Sequence, residues 1–408
     1  MSKKYIFLCI FLVVSLVGCD FLEKDGDNEP EPDPVLISYE KLTNPSISVV
    51  TIDFLLDKTG LFNDKVLQNG TEFSVDVYQV VYKTTYKGAE KQVSGACIIP
   101  GTAEPLPVLS YQHGTILHNK DAPSQYKDLF DMPLEVALNI VIASCGYVCA
   151  APDYIGYGTD GSSLHPYHHA DSLATSCIDM LRAVKEMCAE LGVSIKNEYY
   201  LTGYSEGGFA TLAVQKKIEA GFAAEFPLIA VSAGAGAYNL LDTARDFLSR
   251  PIIDAPVFAC FLFVAYRGHY GWDRAYSSVF REPYSSRMKS GLFSGSYTLS
   301  YVEGQLTNST DDLFKADFLS DFNGSGEQTL KDALRENKLH KGWTPSAPLR
   351  LYHGTADRTV PAFNSEDAEN AFISSGAADV RYFSFPGLGH GASIIPWVIA
   401  TMQWFLSF

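Results

Sequence analysis

Charge is scarce in this chain: 19% of its 408 residues are Asp, Glu, Lys or Arg, against 47% apolar. That balance excludes a disordered, fibrous or coiled-coil chain and allows a large buried core. Basic charge is scarcer still. Lysine and arginine number 31 against 47 acids, a formal net charge of −16, and no basic run could track a phosphate backbone. Nucleic acid is therefore not an expected partner. A membrane-spanning run is missing from the start of the chain, because the apolar stretch at residues 6–17 is too short to cross a hydrocarbon core of about 30 Å as a helix. Internal repeats are also absent. The length is compatible with one elaborated domain.

What the amino terminus does contain is an address. Lys3 and Lys4 precede the apolar run, which ends Leu16-Val17-Gly18-Cys19. This is the layout of a signal peptide, and its last four residues resemble the lipobox of bacterial lipoproteins. The expectation is that residues 1–18 are removed and Cys19 is lipidated, giving an exported, membrane-anchored protein at the outer membrane or cell surface. Residues 19–34 follow as a linker. It carries Asp20, Glu23, Asp25, Asp27, Glu29, Glu31 and Asp33 against Lys24 alone, the composition of a solvated tether.

Six cysteines remain beyond Cys19: Cys97, Cys145, Cys149, Cys177, Cys188 and Cys260. An even count in an exported protein permits disulfides. Cys145 and Cys149 read as one extended run, about 13 Å apart at strand rise and unable to pair. Cys177 and Cys188 share a predicted helix, roughly 16 Å apart. The six are read as small buried thiols.

Residues 73–87 and 91–100 are rich in β-branched and aromatic side chains around Lys87-Gly88, which predicts a hairpin. Short apolar strands then alternate with helical stretches to about residue 232, implying a mostly parallel sheet with helices on both faces. Residues 238–347 break the alternation with an aromatic-rich, helix-like insertion, a mainly helical cap. Its aromatics fit equally a roof over a substrate or a small core of its own. The alternation resumes at 349, so the core comprises residues 35–237 and 348–408.

Residues 199–210 read as strand, Gly203-Tyr204-Ser205-Glu206-Gly207 turn and helix. A G-x-S-x-G turn in that context presents its serine as a nucleophile. A serine hydroxyl is weak alone and requires a base and a group to orient it. In chain order an acid should follow, then a histidine. Asp357 ends a predicted strand in His353-Gly354-Thr355-Ala356-Asp357, and His390 is the single one of nine histidines beyond it. The oxyanion donors are expected to be the backbone N–H of Glu206 and of Thr115, with Gly114 as second choice to Thr115. His113, which precedes Ser205, reads as a packing residue. His165, His168, His169 and Asp171 could form a metal cluster on composition. The simpler reading places Asp171 at a helix N-terminus, and neither metal nor cofactor is expected.

These residues resemble the secretory lipase family, the lipase A-like α/β-hydrolases. The likeness rests on Gly203-Tyr204-Ser205-Glu206-Gly207-Gly208 and on Pro152-Asp153-Tyr154-Ile155-Gly156-Tyr157-Gly158. It also rests on the following helix with Asp179 and Arg182-Ala183, on the cap, and on the Asp357 segment. It implies an α/β-hydrolase fold and ester hydrolysis by Ser205, Asp357 and His390 on a small-molecule or lipid ester. Glu206 stands where fungal members commonly have a small residue, and the Cys19 anchor is foreign to them. Alternative expectations are a feruloyl or acetyl esterase acting on carbohydrate, a serine peptidase, or a non-catalytic surface binding protein.

Overall fold

A computed structural model of the chain describes residues 33–59, 70–125 and 132–408. The signal segment and Cys19 lie outside the described residues, as does all but the end of the acidic linker.

Nine strands form one sheet: β1 (Leu36–Lys41), β2 (Val75–Tyr86), β3 (Ala89–Pro100), β4 (Leu106–Gln112), β5 (Val148–Pro152), β6 (Ile195–Tyr204), β7 (Leu228–Gly234), β8 (Leu349–Gly354) and β9 (Val380–Phe385). Their order is β1-β2-β3-β5-β4-β6-β7-β8-β9. β1, β2 and β3 are antiparallel neighbours, β3 meets β5 antiparallel, and β5 through β9 run parallel. The predicted hairpin is β2–β3. Lys87 and Gly88 both have positive φ, 53° and 74°, the left-handed pair that matches the twist of a two-residue hairpin. β1 was not anticipated. Four of its six residues are exposed, so this edge strand carries almost no buried-face alternation to read.

All residues of β5 and β8 are buried, as expected of strands covered on both faces. One face is covered by α1 (Val49–Thr59), α2 (Leu134–Ser144) and the closing helix α13 (Ile394–Phe405), through Ile52, Leu138 and Trp397 among others. The other face takes α3 (Ala170–Leu191), α4 (Glu206–Gly221) and α12 (Phe363–Ser374), through Met180, Phe209 and Phe372. Cys145 caps the C-terminus of α2 and Cys149 lies in β5, which corrects the expectation that the two share one extended run. α2 buries nine of its eleven residues, and a helix apolar on every side has no period by which to separate it from the strand that follows. The six thiols are free, and five of them are buried.

Between β7 and β8 the chain folds into α5 (Leu240–Ser249), α6 (Pro256–Tyr270), α7 (Tyr284–Lys289), α8 (Leu299–Gly304), α9 (Thr310–Leu313), α10 (Ala316–Asn323) and α11 (Gln328–Glu336). Aromatic pairs hold this cap together: Phe263 meets Phe280 edge-on at 5.5 Å between centroids, and Phe314 stacks on Phe318 at 5.7 Å. Its core is continuous with the core under the sheet. No helix of the described residues is long and apolar enough to cross a membrane.

Candidate active site

β6 delivers the chain to Ser205 and α4 carries it away. Ser205 has φ 60° and ψ −120°, a conformation that costs an L-residue roughly 1–3 kcal/mol and points to function. The glycines explain how so sharp a turn is built. A β-carbon on Gly207 would lie 2.0 Å from the Gln112 carbonyl oxygen, and one on Gly203 would lie 2.5 Å from the same atom. The elbow is therefore pressed directly onto the end of β4, with the Ser205 N–H donating to the Gly234 carbonyl at 2.9 Å.

Asp357 and His390 follow β8 and β9. Asp357 Oδ1 accepts the N–H groups of Thr359 and Val360 at 2.9 and 2.8 Å, which fixes the carboxylate plane. Its Oδ2 lies 2.6 Å from His390 Nδ1, and His390 Nε2 lies 2.8 Å from Ser205 Oγ. Burial raises the Asp357 carboxyl, but hydrogen bonds from His353 and His390 reverse this and hold it well below the usual carboxylate range. An ionised Asp357 can only accept, so the N–H of a neutral His390 sits at Nδ1 and donates to Oδ2. The Nε2 lone pair is then left to accept from the Ser205 hydroxyl, the protonation a general base needs. Tyr204 donates its phenol to the His390 carbonyl at 2.6 Å and pins the loop. His353, fully buried, is held by Ser365 Oγ and the Val360 carbonyl, both at 2.8 Å, and sits 3.4 Å from Asp357 Oδ2.

As the first residue of α4, Glu206 has a backbone N–H with no intrahelical acceptor. On the facing loop the Gly114 N–H donates to both carboxylate oxygens of Glu135, at 2.8 and 3.1 Å. That excludes Gly114 as an oxyanion donor in this arrangement and leaves Thr115, whose Oγ1 lies 3.0 Å from the Tyr167 hydroxyl. Burial pushes the Glu135 carboxyl up to about 7, against the pull of the Gly114 N–H. His113 packs as expected: it stacks on Tyr154 at 4.1 Å, with its ring nitrogens 2.7 Å from the Gly114 carbonyl and 3.2 Å from that of Asp153.

The histidine segment does not assemble as one cluster. His165 Nε2 meets Glu206 Oε1 at 2.7 Å and its Nδ1 meets the Ile155 carbonyl at 2.7 Å, inside the protein. Burial would raise the Glu206 carboxyl, but the His165 imidazole more than offsets this and holds it below its ordinary value. Both His165 nitrogens thus face oxygen acceptors. His168 borders the space above Ser205. His169 accepts the Ser172 N–H as the N-cap of α3, and Asp171 binds Lys217 at 2.6 Å. Among the described residues, no group of three or more His, Cys, Asp or Glu side chains is placed to hold a metal ion. The Glu206–His165 pair and the Glu135 strap were not legible in the sequence. Their nearest signal was the unusual acid after the nucleophile.

Ser205 opens into a cavity beneath the cap, walled mainly by apolar side chains such as Leu240, Phe247, Leu262, Phe318, Leu330 and Val360. Of the cap aromatics, Phe280 packs within the cap, whereas Phe318 does that and also lines the cavity.

The secretory lipase family profile matches residues 130–407. Lipase 6 of Candida albicans is 24% identical over 322 residues, and Lipase 10 of the same organism is 25% identical over 333. Each alignment covers 75% of this chain and 66% of the relative, so the chain spans just under two thirds of the length of these relatives. A solved Legionella pneumophila chain superposes with a TM-score of 0.83 at 25% identity, covering 91% of this chain and 98% of its own. The rice cell wall degrading esterase LipA of Xanthomonas oryzae gives 0.79 at 25%, with the same coverage. Candida antarctica lipase A in its closed state gives 0.66 at 16%, covering 91% and 81%, a likeness of fold.

Proposed function

The chain belongs to the secretory lipase family, and from that premise we propose that it is a serine hydrolase of carboxylic esters. The observation that carries this reading is the continuous hydrogen-bonded path Asp357–His390–Ser205, 2.6 and 2.8 Å, opening into an apolar cavity. His390 Nε2 takes the Ser205 proton as Oγ attacks the ester carbonyl carbon. The N–H groups of Glu206 and Thr115 receive the oxyanion. The imidazolium, stabilised by ionised Asp357, returns the proton to the departing alkoxide, leaving an acyl-Ser205. Water, deprotonated by the same imidazole, then releases the acid. Each step is carried by side chains and backbone of this chain.

The cavity favours an aliphatic acyl group, because apolar walls gain about 25 cal/mol for each Å² of acyl surface they shield from water. A second reading, an esterase on cell-wall carbohydrate, is favoured by the likeness to the Xanthomonas oryzae enzyme. A panel of nitrophenyl esters from acetate to palmitate beside methyl ferulate and acetylated xylan separates the two. Ser205→Ala should abolish turnover and labelling by a fluorophosphonate. Turnover surviving in that variant would sink the serine mechanism.

We also propose that the protein is exported and anchored through Cys19, on the lipobox-like Leu16-Val17-Gly18-Cys19. Growth with labelled palmitate should mark the protein, and Cys19→Ser should remove the label. Equal labelling of both would exclude the anchor.

A further inference from the structure

An imidazole interrupts the mainly apolar wall beside Ser205. His168 borders the cavity, is only 6% exposed, and its Nδ1 is enclosed with no hydrogen-bond partner among the described residues. Its backbone adopts φ 53°, a left-handed conformation uncommon for a non-glycine residue. The Tyr266 hydroxyl holds this conformation by donating to the His168 carbonyl at 3.1 Å. The imidazole is clamped edge-on between Tyr167, 4.1 Å away, and Phe209, 4.7 Å away, so it has little freedom to turn from the cavity. Burial pushes its pKa down to about 4, and the ring is neutral at pH 7.

A neutral imidazole has one N–H and one lone pair. An N–H at Nδ1 would be buried without an acceptor, the costlier error, so the proton belongs on Nε2. That places an N–H donor at the edge of a mainly apolar cavity that Ser205 also lines. A site that only had to hold methylene groups would have no use for a polar ring with a buried nitrogen left unpaired.

We infer that His168 is a specificity-determining residue: its Nε2–H donates to a hydroxyl or oxo oxygen on the carbons next to the ester carbonyl of the acyl group. The substrates this selects are esters of 2- or 3-oxygenated fatty acids over those of plain ones. A site built to hydrogen-bond a substrate oxygen discriminates strongly against the analogue that lacks it. The inference rests on the ester hydrolase reading, since it needs an acyl group in the cavity.

The test compares nitrophenyl butyrate with the 2-hydroxy and 3-hydroxybutyrate esters, in wild type, His168→Phe and His168→Asn. Intrinsic ester reactivity cancels when the ratio of kcat/KM, oxygenated over plain, is compared between proteins. The wild-type ratio should exceed that of His168→Phe by tenfold or more for at least one position. His168→Asn should retain part of the preference, since its amide donates and Asn tolerates positive φ. Ratios within twofold in all three proteins would overturn the assignment. Should His168→Phe fail to fold, product inhibition of wild type decides: 3-hydroxybutyrate or 2-hydroxybutyrate must inhibit more tightly than butyrate, and equal inhibition by all three refutes the inference. Failure of the underlying reading would look different, as no Ser205-dependent turnover of any ester.

Discussion

Replacing Asp357 by Asn tests the central claim without removing an atom from the hydrogen-bond frame. The amide oxygen can still accept from the Thr359 and Val360 N–H groups, which lie 2.9 and 2.8 Å from Oδ1. The amide nitrogen must then occupy the place of Oδ2, 2.6 Å from His390 Nδ1. Two donors cannot face each other, so His390 is driven to the tautomer with Nδ1 bare and Nε2 protonated. That ring cannot accept the Ser205 proton across the 2.8 Å contact. In serine hydrolases built on this constellation the same change costs roughly 10⁴-fold in kcat, or about 5.4 kcal/mol of activation energy. Steady-state hydrolysis of nitrophenyl butyrate should show that loss chiefly in kcat, with KM little changed.

The variant also has a stability signature. The Asp357 carboxyl is depressed in the folded protein, so the native state binds fewer protons there than the unfolded chain. Its contribution is present above the unfolded carboxyl pKa of about 3.9 and is lost as pH falls through the folded value. The melting temperature of wild type should therefore exceed that of Asp357→Asn most at neutral pH, the gap closing on acidification. A folded Asp357→Asn protein that keeps more than a tenth of wild-type kcat would refute the orienting role assigned to Asp357.

Two other substitutions follow from the elbow and its surroundings. Ser205→Gly should abolish activity yet melt higher than Ser205→Ala, by an amount on the order of 1 kcal/mol, because glycine adopts φ 60° without strain; equal melting temperatures would mean the elbow is unstrained. Glu135, raised to about 7 by burial, binds a proton in the folded state that the unfolded chain has released above about 4.5. It should therefore make the protein less stable as pH rises from about 4.5 to 7, by up to roughly 3 kcal/mol, a slope that Glu135→Gln removes. Denaturant titrations at several pH values would show parallel curves for the two proteins if this is wrong.

Some of the site was legible because its rules are local. The Gly203-to-Gly207 turn needs glycine wherever backbone presses on backbone, and the 2.0 Å approach to Gln112 is that pressure made visible. Chain order then left His390 as the sole histidine after Asp357. The hairpin at Lys87-Gly88 was equally local, since two left-handed residues define the turn. β1 was not, because a mostly exposed edge strand is held by pairing with β2 rather than by its own pattern.

The amino-acid sequence by itself thus determined the alternation of the sheet, the interruption by a cap, and the ordered serine, acid and histidine, all of which depend on turn chemistry or on the period of apolar residues. Only the tertiary structure decided which buried polar groups answer one another. Glu206 meets His165 from 41 residues away and Glu135 takes the Gly114 N–H across 21, pairings set by how helices dock on the sheet. For the same reason four neighbours in sequence, His165, His168, His169 and Asp171, went to four separate tasks. A side chain's partners are fixed by the direction it points in the folded chain, and composition does not encode that direction.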